Sequence, residues 1–279
     1  MQPLREFDYL APASLDEAAG LLGRFGRECR IVAGGTDLLP SMRQGLFTPA
    51  HVVSLQNLDA LREIAWDDAG LRIGALATLR SVESHPEVRR RFPLVAFAAA
   101  AIASPTIRQM GTVGGNLCLD TRCYYYNQSE SWRSCSTPCL KMGGEFCKAS
   151  PGGLARKCFA AFSADLAPAL VALDARIALV SRRGTRTLAL SDFYSGDGAK
   201  PNRREDDEIV THIVVPKSKL GCLGVYHKHR MRNSIDYPTA AVTLTARPLG
   251  RDAIFEDIRL VVSGVVTQPL IVKGVLSLA

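Results

Sequence analysis

Ile31-Val-Ala-Gly-Gly-Thr-Asp37 reads as a short buried strand running into a glycine pair and a small polar residue. Some eighty residues later the design returns in Gly111-Thr-Val-Gly-Gly-Asn116, again expected after a β-like run. Adjacent glycines permit positive φ and remove two Cβ atoms, so successive backbone N–H groups can converge on an anion. Thr36 and Thr112 add hydroxyls suited to phosphate oxygens, and Asp37 and Asn116 suit the loops themselves or a ribityl or ribose hydroxyl. One such turn carries little weight. Two, in successive α/β segments, predict a diphosphate held between two subdomains. Neither follows the G-x-G-x-x-G spacing of a Rossmann nucleotide site, and no G-x-x-x-x-G-K-[ST] run is present.

Around these loops the chain reads as alternating β and α. Ser14-Leu-Asp-Glu17 is a capping box opening a helix through Leu15, Ala18, Leu21 and Leu22. Strands are expected at Val52–Leu55 and Leu71–Ala75, then helix from Thr78 to about Ala103 with interruptions at Pro86 and Pro93. After a cysteine-rich stretch of little periodicity, regular structure resumes at Ala164–Leu170. Paired strands follow at Arg176–Val180 and Thr185–Leu190, and another at Glu208–Val215. Beyond Pro216 the composition turns to β-rich alternation, which sets a boundary near 216–222. The sequence runs on only a little past Ile271-Val-Lys-Gly with no closing helix pattern, so the last domain reads as partial.

The 279 residues are 47% hydrophobic and 22% charged, an ordinary globular balance. A net charge of +7 is modestly basic, but Lys and Arg are scattered rather than gathered in the stripe that nucleic-acid binding needs. The apolar run Phe92–Ala103 is too short to span a membrane. Without a charged-then-apolar leader, a cytoplasmic location is expected. Structural disulfides are rare there.

Six of the eight cysteines nevertheless fall between Cys118 and Cys158, the others being Cys123, Cys135, Cys139 and Cys147. Four thiolates suit zinc or an iron–sulfur cluster. The C-x-x-C knuckles of zinc ribbons and the compact ferredoxin run are both missing, so a loop wrapped around its ligand is expected. Spacing alone leaves open which four would ligate. Cys118 reads as a packed apolar residue, Cys29 and Cys222 as isolated thiols. No Ser/His/Asp or Cys/His catalytic set is evident. A zinc-stapled binding module is a third reading, against which the twin glycine loops count.

The stretches "IVAGGTDLLPSMRQG", "ASPTIRQMGTVGGNLCLDTRC", "FSADLAPALVALDARI" and "RNSIDYPTAAV" together resemble the FAD-binding medium subunit of the xanthine dehydrogenase and molybdenum hydroxylase family. The resemblance runs to about residue 265. It implies an α+β chain with two α/β subdomains of the PCMH-type FAD-binding fold, 1–57 and 58–217. A C-terminal domain, 218–279, of a three-stranded antiparallel sheet with helices would follow, here partial. FAD would be held by Ala33, Gly34, Gly35, Thr36 and Asp37 from one side and by Thr112, Gly114, Gly115 and Asn116 from the other. Ser104, Ile107 and Arg108 would border the flavin cleft, Asp165 and Leu166 the ribityl chain and ring, and Lys228 and Asp236 the isoalloxazine.

The insertion at about 120–160, opening "DTRCYYYNQSESW", is similar to that of the β subunit of 4-hydroxybenzoyl-CoA reductase. That similarity implies an additional [4Fe-4S] cluster on Cys123, Cys139, Cys147 and Cys158, with Cys135 a competing thiol and Cys118 outside the pattern. It also implies a molybdenum-cofactor large subunit, a [2Fe-2S] small subunit, a ferredoxin-type electron donor and a dimer of heterotrimers. The alternative is an FAD-only medium subunit of an aldehyde, xanthine or carbon-monoxide hydroxylase.

Overall fold

The structure, a computed structural model, describes residues 3–153, 155–249 and 254–275. Its first sheet is parallel, with β1 (Asp8–Leu10), β2 (Cys29–Val32) and β3 (His51–Ser54) in the order β1-β3-β2. The helix Leu15–Phe25 crosses between β1 and β2. Ser14 caps it as expected, its Oγ accepting the Glu17 N–H, while the Glu17 carboxylate accepts the N–H of Ala13, one residue before the cap, instead of closing the box on Ser14. Ala18, Ala19 and Leu22 face inward at the spacing of one helix face and meet Val53 and Leu55.

The second sheet is antiparallel. It comprises β4 (Ile64–Trp66), β5 (Gly70–Gly74), β6 (Arg176–Ser181) and β7 (Gly184–Ala189). A separate hairpin of β8 (Tyr194–Asp197) and β9 (Lys200–Asn202) then leads to β10 (Ile209–Pro216), which enters the sheet between β5 and β6. Leu61, Leu76 and Ile209 from this half share the core of Ala18 and Leu22, so the two sheets are continuous in packing.

Pro86 and Pro93 each occupy the first turn of a new helix. The helical run therefore divides into Leu79–Ser84, Pro86–Arg91 and Pro93–Ala100. Proline cannot supply the N–H that an uninterrupted helix needs, but loses nothing at a helix start. The helix Leu166–Ala172 is buried at every position, as an all-apolar helix must be.

That helix and Pro93–Ala100 carry the third sheet on their outer side. The sheet is antiparallel, with β11 (Leu223–His229), β12 (Ala240–Leu249), β13 (Ile254–Ser263) and the two-residue β14 (Leu270–Ile271) in sequence order. The expected three strands gain β14 as a short edge, and among the described residues beyond β11 there is no α-helix.

Two further expectations are corrected. A helix, Pro105–Met110, and not a β-like run precedes the second glycine pair, because Ser104 caps a new first turn by accepting the Ile107 N–H. The pair itself lies inside a five-residue helix, Val113–Leu117, because the Thr112 hydroxyl accepts the Gly115 N–H and caps that turn. Among its described residues the cysteine-rich insertion also holds an α-helix, Glu130–Ser134, capped by Ser129, and two 3-10 turns at Leu140–Met142 and Pro151–Gly153.

Two contacts fix how these parts sit. A Cβ on Gly34 would lie 1.9 Å from the Met110 carbonyl oxygen, so the first glycine loop meets the second subdomain backbone to backbone. The third sheet is pinned by Lys228 on β11, whose Nζ is 2.7 Å from Asp165 Oδ2, while the Tyr226 hydroxyl donates to Oδ1 at 2.7 Å. Both partners of the Lys228–Asp165 pair are 4% exposed at the side chain. Burial raises the Asp165 pKa above its ordinary value, against the lowering pull of Lys228 and Tyr226. The same burial, reinforced by the Asp165 charge, drives the Tyr226 phenol far above its usual range.

Gly34→Ala is expected to destabilise the protein by about 1–3 kcal/mol, since backbone cannot move aside as a side chain can, read as a lower urea midpoint. Lys228→Met leaves a carboxylate buried without its cation and is expected to cost about 3–5 kcal/mol near neutral pH. Asp165 has a folded pKa above its unfolded value, so deprotonation in the folded state is the costly step. The deficit of Lys228→Met is therefore small below the unfolded carboxyl pKa of about 4 and grows as pH rises through the raised folded value. Adding Asp165→Asn to that variant removes the pH dependence and recovers most of the loss, measurable by denaturant titration across pH.

Candidate functional site

A cleft of about 810 Å³ opens where the three sheets approach one another. Its floor is the first glycine loop, which follows directly on β2. Gly35 has φ +70°, a backbone that a side chain rarely adopts. Among the described residues, the N–H groups of Gly34, Gly35, Thr36 and Asp37 find no acceptor in the protein. Four successive free donors beside a cleft form a nest suited to an anion. The second loop behaves differently. The Gly114 N–H is taken by Ala75, Gly115 by the Thr112 hydroxyl and Asn116 by the Thr112 carbonyl. It lines the opposite wall and contributes shape and the Thr112 hydroxyl, its donors already taken by the Ala75 and Ala77 carbonyls and by Thr112.

Asn116 has a structural task as well: its Oδ1 accepts the Leu166 N–H at 3.3 Å and so ties the second loop to the buried helix. Of the other expected residues, Ala33, Ile107, Asp165 and Asp236 reach the cleft wall with both loops. Ser104, Arg108, Leu166 and Lys228 do not form that wall. Ser104 is a helix cap. Arg108 is buried, pairs with Glu83 at 3.0 Å and donates to the Ile102 carbonyl at 2.8 Å. Leu166 is core. Lys228 acts on the cleft through Asp165. Asp236 accepts the Arg232 backbone N–H at 3.1 Å, which holds its pKa below the usual carboxylate range.

Asp37 does not stand free. Arg122, at the head of the insertion, forms an ion pair with its Oδ1 and donates to the Tyr237 hydroxyl at 2.8 Å. The Tyr237 hydroxyl itself lies 3.3 Å from Asp37. Arg122 stacks over the Tyr237 ring at 4.8 Å. Desolvation is the largest influence on the Tyr237 phenol, and with the Asp37 charge it outweighs the lowering pull of Arg122 and lifts the phenol to about 12. One residue from each of three parts of the chain thus closes the rim. Arg122 and Tyr237 sit inside stretches whose family resemblance was plain, yet their residue types carry no local signal for this meeting. Arg30, Tyr126, Lys141 and Arg204, which also line the cleft, likewise carry no local signal for it.

The insertion is clamped to both subdomains. Arg133 donates to the carbonyls of Gln44 at 3.3 Å and Gly45 at 2.8 Å, and Thr121 donates to Gly198 at 2.6 Å. Lys141 is bound by Asp120 at 2.7 Å and the Thr121 hydroxyl at 2.6 Å. Cys139, Cys147 and Cys158 are buried, Cys123 and Cys118 half-buried, and Cys135 exposed; all are free thiols. Burial pushes the Cys158 thiol up to about 11, and nearby Cys147 and Cys123 add to the rise. The Phe159 N–H points at Cys147 Sγ, 3.4 Å away. The donor chemistry suits a thiophilic metal group, but among the described residues no three His, Cys, Asp or Glu side chains converge as metal ligands. No described helix is long and apolar enough to cross a membrane.

Residues 5–218 match the family described as FAD binding domain in molybdopterin dehydrogenase. The nicotinate dehydrogenase FAD-subunit of Eubacterium barkeri is 30% identical over 83% of this chain and 66% of its own length. The aldehyde oxidoreductase FAD-binding subunit of Escherichia coli is 31% identical over 86% of this chain and 76% of its own. The chain therefore spans about two thirds to three quarters of the length of these relatives. Among solved structures, the carbon monoxide dehydrogenase of Hydrogenophaga pseudoflava superposes with a TM-score of 0.76 at 26% identity, over 99% of this chain and 80% of that one. On the family match, the relatives and the shared fold, this chain belongs to the FAD-binding medium subunits of the molybdenum hydroxylases.

Proposed function

We propose that the chain is the flavin-bearing electron-transfer subunit of a molybdenum-dependent oxidoreductase, passing electrons between an external donor and [2Fe-2S] and molybdenum sister subunits. The observation that carries the flavin part is the row of four unused N–H groups from Gly34 to Asp37, facing a cleft large enough for a dinucleotide. Bound FAD supplies exchange between one- and two-electron carriers. The chain's own residues supply placement: the first loop takes the diphosphate, Thr112 approaches from the opposite wall, and Asp165, fixed by Tyr226 and Lys228, gives the ring end a set polarity.

The finer reading assigns the insertion a [4Fe-4S] cluster on Cys123, Cys139, Cys147 and Cys158, in an enzyme like 4-hydroxybenzoyl-CoA reductase. There a phenolic C–OH bond is replaced by C–H using two electrons and two protons, with water released. Support comes from the resemblance of the insertion and from three of those thiols being buried in one segment, with Cys158 near enough to Cys147 and Cys123 to feel their charge. A ferredoxin-type donor and a dimer of heterotrimers in the cytoplasm belong to the same reading. The FAD-only hydroxylase subunit is the second reading. It is favoured by the lack of converged metal ligands among the described residues and by the dehydrogenase and aldehyde oxidoreductase names of the relatives.

Anaerobic purification followed by counting FAD, iron and acid-labile sulfide separates the two. The cluster reading expects about four iron and four sulfide per flavin. Cys147→Ser then lowers iron by at least about half while FAD stays bound, and Cys135→Ser leaves both unchanged. FAD without iron ends the cluster reading and leaves the flavin subunit standing.

A further inference from the structure

The cysteine-rich insertion has a closed neck. Arg122 near its start and Ala161 just past its end face each other as an antiparallel bridge. The Arg122 N–H donates to the Ala161 carbonyl at 2.8 Å, and the Ala161 N–H returns to the Arg122 carbonyl at 2.7 Å. The Arg122 side chain therefore starts from a fixed backbone. Its partners lie outside the insertion: the Asp37 carboxylate on the first glycine loop and the Tyr237 hydroxyl beyond β11. Both contacts are made by Nη2.

Asp37 directly precedes the helix Leu38–Arg43, a position from which an aspartate ordinarily caps the first turn, yet its side chain makes no cap bond. Its carboxylate is spent on Arg122 instead. The charge matters because of its surroundings. The Asp37 N–H completes the row of four donors that begins at Gly34, and Asp37 lines the cleft. A bare carboxylate there would repel the anion that the donors attract. Arg122 is not part of the cleft wall, so it meets Asp37 from behind. The two side chains are 20% and 26% exposed, and the Tyr237 ring stacks on the guanidinium at 4.8 Å, so solvent screens the pair only in part.

We propose that Arg122 is a positioning residue for flavin binding, which neutralises Asp37 from the neck of the insertion and so lets the first glycine loop accept a diphosphate. This rests on the flavin reading above and goes beyond it. Seating of the insertion and affinity for the flavin become one property, because the cation that makes the loop receptive belongs to the insertion. Arg122 acts through Asp37 and needs no contact with the ligand.

The test uses the full chain stripped of flavin and titrated with FAD, with uncharged riboflavin as the control, by calorimetry and flavin fluorescence. Arg122→Met removes the cation and is expected to weaken FAD by about tenfold or more, with riboflavin changed by less than about twofold. Adding Asp37→Asn to that variant removes the stranded carboxylate and should recover most of the loss. The gap between wild type and Arg122→Met should narrow as salt rises, since screening weakens a repulsion. If Arg122→Met lowers the melting temperature of the ligand-free protein, Arg122→Lys and Arg122→Gln are compared instead, and only the lysine, which supplies one charged nitrogen, should retain FAD. FAD affinity left intact in Arg122→Met, equal losses for FAD and riboflavin, or no recovery with Asp37→Asn would each overturn the role of Arg122 while the flavin reading stands. A wild-type chain that takes up no FAD overturns both.

Discussion

The close approach of Gly34 to the Met110 carbonyl sets the geometry on which the cleft depends. With a Cβ there at 1.9 Å, β2 and its loop would have to withdraw from the second subdomain. The row of free N–H groups would withdraw with them. Backbone-to-backbone contact is stiff, since neither partner has a rotamer to change, so the loop is held at a fixed height above the second glycine pair. The opposite wall is equally constrained, because the Gly114 N–H is bonded to Ala75 at the end of β5. The cleft is thus a gap between two rigid backbones rather than a pocket formed by mobile side chains, which suits preorganised binding of a diphosphate.

The two glycine loops divide the work in an unequal way. The first leaves its donors open, because residues 34–37 neither continue β2 nor yet belong to the helix Leu38–Arg43. The second closes its donors, because the Ala75 and Ala77 carbonyls take those of Gly114 and Val113 and Thr112 takes those of Gly115 and Asn116. Similar sequences therefore give dissimilar chemistry: one loop presents charge complementarity, the other presents a surface. Asp165 adds a third kind of contribution. As a buried carboxylate bound by Lys228 and Tyr226, it links the cleft to the sheet of β11–β14. The cleft and the domain interface therefore share one ion pair.

Arg122 extends that coupling to the insertion. It stands next to Cys123, holds Asp37 of the first loop and touches Tyr237 of the third sheet segment. A shift of the insertion would be felt at the first glycine loop through that single side chain. Cys139, Cys147 and Cys158 are buried in a segment tied down by Arg133, Thr121 and Lys141, so the insertion is an integral wall of the protein.

Much of this was legible in the sequence because it depends on local rules. The helix cap at Ser14, the breaks at Pro86 and Pro93, and the strand pair around Gly184 follow from caps, missing N–H groups and side-chain alternation within a few residues. The glycine pairs marked the loops for the same reason. Local rules did not reveal that Thr112 turns the second pair into a helix start, since strand exit and helix cap use the same residue types. Nor did they show that Arg108 and Lys228 would spend their charges on Glu83 and Asp165 rather than facing the cleft. Those outcomes depend on partners 25 and 63 residues away. The elements and the two glycine loops could be read from residues alone, because each is specified by near neighbours along the chain. Which charges face each other around the cleft followed from packing, because pairing is settled by which distant side chains the sheets bring within reach.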